Sequence, residues 1–204
     1  LRLYGINKWA NEQKMDIVFH IHFNDSSRRP GVPGTQSGFV LYAPESELGN
    51  SQASIDFAKS LYAQLDMVLP KSDFETSSIG VVENQELIAL GANATLKGIG
   101  ILAEYGFVYE PQFQNDATRE AMTREIAYQT YRGFQNYFTK KEPTHTTTLL
   151  PFRWERPLSQ DTRPSGDVLA LQAALHHIGE YPPPKKTFSR CPLTGVFGSC
   201  TKEA

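Results

Sequence analysis

"MDIVFHIHFND", residues 15–25, decides how this chain is read. Its middle is short, β-branched and aromatic, the composition of a buried strand, and it stops at Asn-Asp, where a chain leaves a strand for a loop. Two of the chain's five histidines stand one residue apart inside it. Side chains two apart on a strand point to one face, so His20 and His22 project together and Asn24 joins them at the strand's end. Packing alone gives an apolar strand no use for imidazole. On these residues three readings stay open: a pair of hydrogen-bonded core histidines, one core and one surface histidine, or neutral imidazole as a metal ligand.

Working outward, residues 3–13 have helical composition. After the strand, "NDSSRRPGVPGTQ" is a polar loop dense in Gly and Pro, and "GFVLYA", residues 38–43, is a second strand. "NSQASIDFAKSLYAQLDMVL" carries Ile55, Ala58, Leu61, Tyr62 and Leu65 at helical spacing, with Asn50 or Ser51 as cap. "ELIALG", residues 86–91, reads as a short strand or turn. "GIGILAEYGFVY", residues 98–109, reads as a buried strand whose glycines let something approach its backbone closely. "NDATREAMTREIAYQTYRGFQNYF" is the strongest helix, capped by Asn115 or Asp116, with Ala127, Tyr131, Phe134 and Phe138 along one face. Strands alternating with helices predict an α/β domain, a sheet flanked by helices, over residues 1–140.

The composition then shifts. Residues 141–164 are rich in Pro and Thr, show no period and read as a linker that carries His145. Residues 165–204 open with an amphipathic helix, "GDVLALQAALHHIGEY", and continue through a Pro-rich loop into a new helix, a small all-α module. Its His176 and His177 read as structural or solvated. Cys191 and Cys200 suit a disulfide in an oxidising compartment, and two thiols in a reducing one would look the same.

The totals narrow the function. At 204 residues the chain suits one medium domain, or one with a small companion. Twenty basic and 22 acidic residues, spread along the chain, leave a net charge of −2 and point to neither nucleic acid nor an anionic membrane. No apolar run approaches the ~20 residues of a membrane span. Both ends read as cut: "LRLYGINKWANEQ" resembles later turns of a helix under way, and "TKEA" stops in helical composition.

A second chemical feature lies in "GILAEYGFVYEP", residues 100–111. Glu104 stands inside an otherwise apolar strand, where desolvating a carboxylate costs several kcal/mol unless it is paired, near a metal or protonated. The plainer alternative is a strand end at which Glu104 reaches solvent; Glu110, just beyond, fits that description better. A glutamate facing a metal-bound water is what general acid–base hydrolysis requires.

Together the two stretches resemble a family. "DIVFHIHFN" is similar to the "ADLFVSIHAN" strand of zinc-dependent N-acetylmuramoyl-L-alanine amidases, and "GILAEYGFVYEPQF" to their "LVELGFISNPEE" segment, with the helix "SQASIDFAKSLYAQL" matching in place and kind. The resemblance covers roughly residues 1–138. It implies a phosphorylase/hydrolase-like fold and hydrolysis of the amide between N-acetylmuramic acid and L-alanine in peptidoglycan, with Zn2+ as cofactor. By position, His22 would be a zinc ligand and Glu104 the catalytic carboxylate. His20 falls where the family has Ser, so it and Asn24 would orient a ligand or touch substrate. The family's first two zinc ligands, in a "DPGHGG" turn and at a helix start, have no counterpart here, so the domain is expected to be incomplete at its N-terminus. The tail resembles the start of a peptidoglycan-binding three-helix module, with Gly195, Phe197, Gly198 and Thr201 fitting "DGVFGPAT", and is expected to be partial, without that module's last helix. Peptidoglycan is then the expected partner and the location extracytoplasmic. The alternatives are a cell-wall-binding protein that kept the fold without the chemistry, and another zinc hydrolase of carboxypeptidase type.

Overall fold

A computed structural model describes residues 2–74, 80–90, 96–139 and 154–204, the side chains of residues 2–4 excepted. In chain order it forms α1 (Arg2–Glu12), β1 (Ile17–Asn24), β2 (Val40–Ala43), α2 (Ser51–Leu65), β3 (Val81–Glu83), β4 (Ile99–Phe107), α3 (Pro111–Gln114), α4 (Asp116–Thr139), α5 (Gly166–His177) and α6 (Ser199–Glu203). The four strands form one mixed sheet in the order β1-β4-β2-β3. β1 and β4 are parallel, as are β2 and β3, while β2 runs antiparallel to β4. Helices flank the sheet, so the expected α/β architecture is the observed one.

The position of each strand explains its composition. β4 is central and covered on both faces, which demands a nearly continuous apolar run. β1 is the edge, so its residues are only partly covered, and Ile21 and Phe23 stay exposed. One face of the sheet packs Leu41, Ile101 and Ala103 against Phe57, Leu61 and Leu65 of α2 and Met122 and Ile126 of α4. Gly133 is what lets α2 and α4 touch: a Cβ there would stand 2.7 Å from Leu61 Cδ2 and 2.8 Å from its Cα. On the other face Val40, Tyr42 and Leu102 lie under Ala89 and Leu90, and Asn7 of α1 donates to the Ala89 carbonyl at 3.4 Å.

Some local expectations shift. The stretch 86–90 is turn, one of its two expected forms, while the strand at Val81–Glu83, parallel to β2, had no sequence expectation. The helix after Asn50 ends at Leu65, and its last apolar residues, Met67 to Leu69, bury themselves as turn. On α4 the core-facing residues are Met122, Ile126, Gln129 and Gly133, whereas Tyr131 and Phe138 are exposed. With Phe19, Ile21 and Phe23 of β1 they line an open apolar groove of about 780 Å3.

Residues 154–165 form neither helix nor strand, and residues 140–153, where His145 and the expected domain boundary fall, lie outside the described residues. Ser165 caps α5, its hydroxyl accepting from Val168 N at 3.2 Å. Buried Gln172 clasps the C-terminal segment. Its Nε2 donates to Val196 O and Thr201 Oγ1, and its Oε1 accepts from the amides of Thr194 and Gly195. A Cys191–Cys200 disulfide closes the same loop. Leu169, Tyr181, Cys191 and Leu193 belong to the same buried cluster as Phe57 and Ile126. His176 is structural: its Nδ1 lies 3.0 Å from Tyr181 O and its ring meets Phe188 edge-on.

Candidate functional site

Parallel pairing of β1 and β4 sets His20 beside Leu102 and His22 beside Glu104. Val40 of β2 stands on the other side of Glu104. Residues at matching register share a face, so the carboxylate sits between an imidazole and a buried valine. Every other residue of β4 is buried, and the Glu104 side chain keeps 14 % of its surface accessible. His22 Nδ1 is 3.8 Å from Glu104 Oε1, close enough for charge to matter and too long for a hydrogen bond. Glu104 Oε2 and His20 Nε2 are buried without a hydrogen-bond partner among the described residues.

Burial sets the electrostatics. It pushes the Glu104 carboxyl up to about 7. Burial, with the charge of His22 second, holds His20 below the usual imidazole range and so favours its neutral form. The two rings lie 6.4 Å apart at 72°. A carboxyl with a pKa near 7, largely sheltered and next to an imidazole, can exist in either protonation state at physiological pH.

Asn24 keeps the strand's alternation, half-buried like His20 and His22, at the end of β1. The β1–β4 register slips between His22 and Asn24, so Asn24 pairs with Phe107, and its Oδ1 turns back to accept from Asp25 N at 2.9 Å. The slip coincides with Gly106, whose φ of +146° suits no other residue. Glu110 overturns the expectation of a solvent-facing side chain. It is 7 % exposed, and its carboxylate accepts from Phe107 N, Gly38 N and Gln112 Nε2 at 2.7, 3.1 and 2.9 Å. Burial raises its pKa while the three N–H donors oppose the shift. No local pattern announces this, because the backbone amides it serves belong to the end of β4 and to the segment before β2, and it makes no hydrogen bond to the free amides of α3.

These donors fit zinc only in part. His22 offers one nitrogen beside an unpartnered carboxylate oxygen. Among the described residues no group of three or more His, Cys, Asp or Glu side chains is placed to hold a metal ion. A catalytic zinc takes about three protein ligands and a water. The described residues therefore fit one corner of such a shell and do not complete it.

No family model and no curated protein matches this sequence. The fold, however, is similar to solved structures. One is the N-acetylmuramyl-L-alanine amidase Ami1 from Mycobacterium smegmatis, with a TM-score of 0.54, 18 % identity, and 68 % of this chain and 61 % of that chain covered. Another is the apo form of the N-acetylmuramyl-L-alanine amidase Ami1 from Mycobacterium abscessus, at 0.52 and 17 %, covering 67 % and 61 %. At such identities the likeness establishes a shared fold. The chain spans about three fifths of the length of those structures.

Proposed function

We propose that this chain hydrolyses the amide between N-acetylmuramic acid and L-alanine in peptidoglycan, with Glu104 as general base and then general acid. The observation that carries the reading is the His22–Glu104 pair, side by side on adjacent strands of a fold shared with such amidases. Glu104 takes a proton from the attacking water, whose oxygen bonds to the lactyl carbonyl carbon. It then gives that proton to the departing alanine nitrogen as the C–N bond breaks, so the carboxylate ends as it began. Its poise near 7 serves both halves of the cycle. Zinc, with His22 as one ligand, would polarise the carbonyl and acidify the water.

The same proposal holds that the hydrolase domain has further strands. β1 is an edge, and the apolar groove it forms with α4 is the kind of surface that a packed sheet covers. Residues on such strands would supply the ligands that the described residues lack. A linker at 141–164 and a polymer-holding module at 165–204 belong to this reading, as does an extracytoplasmic location. The Cys191–Cys200 bridge supports that location, because disulfides persist in oxidising compartments. Among the described residues no helix is long and apolar enough to cross a membrane.

The test is incubation of zinc-loaded protein with purified peptidoglycan, followed by labelling of newly freed alanine amino groups. Loss of the general base costs about 10²–10⁴-fold in rate, so Glu104→Gln should release almost none. Release by the variant at the wild-type rate would refute the assignment.

A further inference from the structure

β2 and β4 part like a fork, and Glu104 stands where they part. Their antiparallel ladder runs through Tyr42↔Leu102, Leu41↔Ala103 and Val40↔Glu104, and goes no further among the described residues. Beyond it β4 continues to Phe107, which still pairs with Asn24 of β1. The chain before β2 turns the other way. Phe39 bridges Lys71, its N–H donating to Pro70 O at 2.9 Å and its carbonyl accepting from Ser72 N at 2.8 Å. Gly38 thus lies on one arm and Phe107 on the other. The amides of both donate to a single atom, Glu110 Oε1, at 3.1 and 2.7 Å.

This carboxylate is itself held fast. A buried backbone N–H must find an acceptor, and a charged oxygen holds its donors more tightly than a neutral one. Glu110 Oε2 accepts from Gln112 Nε2 at 2.9 Å, and Gln112 is buried as well. Thr118 Oγ1 of α4 in turn donates to Gln112 O at 3.2 Å. On its other side the clamp fits closely, since a Cβ at Gly106 would stand 2.8 Å from Oε1. The two arms can neither part nor close without breaking a bond to that oxygen.

The consequence falls on Glu104. It precedes Phe107 by three residues on one arm, and its partner Val40 follows Gly38 by two on the other. No ladder to β2 continues past this point, so the clamp governs how the strands lie around the carboxylate. Catalysis is sensitive to such placement: a shift of about 1 Å can cost on the order of 10²-fold in rate.

We infer that Glu110 is a positioning residue for Glu104. It sets the width of the strand fork through the place of its oxygen, and so aims the general base. The role rests on the hydrolase reading above.

Three replacements separate reach from charge. Glu110→Gln keeps an oxygen at the same reach, and Gln112 can turn its own amide to meet the new one. Glu110→Asp keeps the charge but falls one methylene short. Glu110→Ala removes both; it strips two amides of their acceptor and can cost the fold, so Glu110→Asp carries the comparison. On the zinc-loaded protein, with a soluble N-acetylmuramoyl-L-alanine peptide, Glu110→Asp should lower kcat per folded molecule about ten- to a hundredfold with KM nearly unchanged, while Glu110→Gln stays within about threefold of the wild type. Thermal unfolding gives the folded fraction at the assay temperature, so a merely structural role would leave kcat per folded molecule unmoved. A second measurement needs no turnover. In amide hydrogen exchange of the 204-residue chain, Glu110→Asp should speed exchange at Gly38, Val40, Glu104 and Phe107 about tenfold or more relative to α2, and Glu110→Gln should not. Wild-type kcat in a folded Glu110→Asp, a Glu110→Gln as impaired as Glu110→Asp, or exchange that rises evenly along the chain overturns the role. The two proposals fail separately. No hydrolysis by the wild type, with exchange raised only around the fork, would overturn the activity and support the clamp, whereas hydrolysis whose kcat ignores Glu110 would do the reverse.

Discussion

Replacing Glu104 by Gln should make the metal-free protein more stable at alkaline pH and leave it unchanged in acid. The carboxyl of Glu104 titrates at about 7 in the fold against 4.5 as its ordinary value, and the cause is burial. A raised carboxyl pKa means that the folded state prefers the protonated form. Stability is therefore whole below pH 4.5, falls as the pH rises toward 7, and stays reduced above it. Each pKa unit corresponds to about 1.4 kcal/mol, so the full shift would be worth about 3 kcal/mol. The side chain keeps 14 % of its surface in solvent, and that screening trims the effect to about 1–2 kcal/mol. Glutamine keeps the shape and cannot ionise. The assay is urea unfolding of chelator-treated wild type and variant at pH 4.5 and pH 8.5, compared with one m-value. The variant should gain about 1–2 kcal/mol at the higher pH and nothing at the lower. An equal difference at both pH values, or a less stable variant at pH 8.5, would show that burial does not tax this carboxylate.

Three further outcomes follow from particular contacts. The 204-residue chain should bind zinc weakly or not at all, and in a form that carries the further strands His22→Ala should lose the metal while His20→Ala keeps most of it; tight zinc in the chain alone, or equal loss from both variants, would refute the assignment of this pair. Gly133→Ala should cost about 1–3 kcal/mol, because the new methyl group meets Leu61 backbone and Ser60 O, which cannot swing aside; denaturation midpoints measure it, and an unchanged midpoint would refute the close approach of α2 and α4. Gln172→Ala strips partners from two amides, a carbonyl and a hydroxyl in a buried position. About 2–4 kcal/mol of stability should go with them, read as earlier proteolysis of residues 166–204.

What the sequence by itself determined was local and periodic. The β-branched, aromatic run at residues 17–24 had to be a strand, and its period put His20 and His22 on one face before any partner strand was known. An isolated carboxylate among Ile99, Ile101, Leu102 and Ala103 marked Glu104, because burying a charge is expensive wherever it happens. Cys191 and Cys200 were near enough in the chain to bridge, though only the fold brought their Cα atoms to 5.8 Å.

What the tertiary structure decided was everything that depends on which segment lies beside which. Pairing of His22 with Glu104 is a register between strands separated by some eighty residues, and no local pattern encodes it. The face of α4 holding Tyr131 and Phe138 has the apolar spacing of a core face yet stands open, since periodicity reports that a face is apolar and not what covers it. Glu110 looked like a solvent-facing end until the fold turned the amides of Gly38 and Phe107 onto it. Asn24 keeps the strand's alternation, but the irregularity beside Gly106 pairs it with Phe107 instead of Gly106, and only the packing of β1 against β4 could show that.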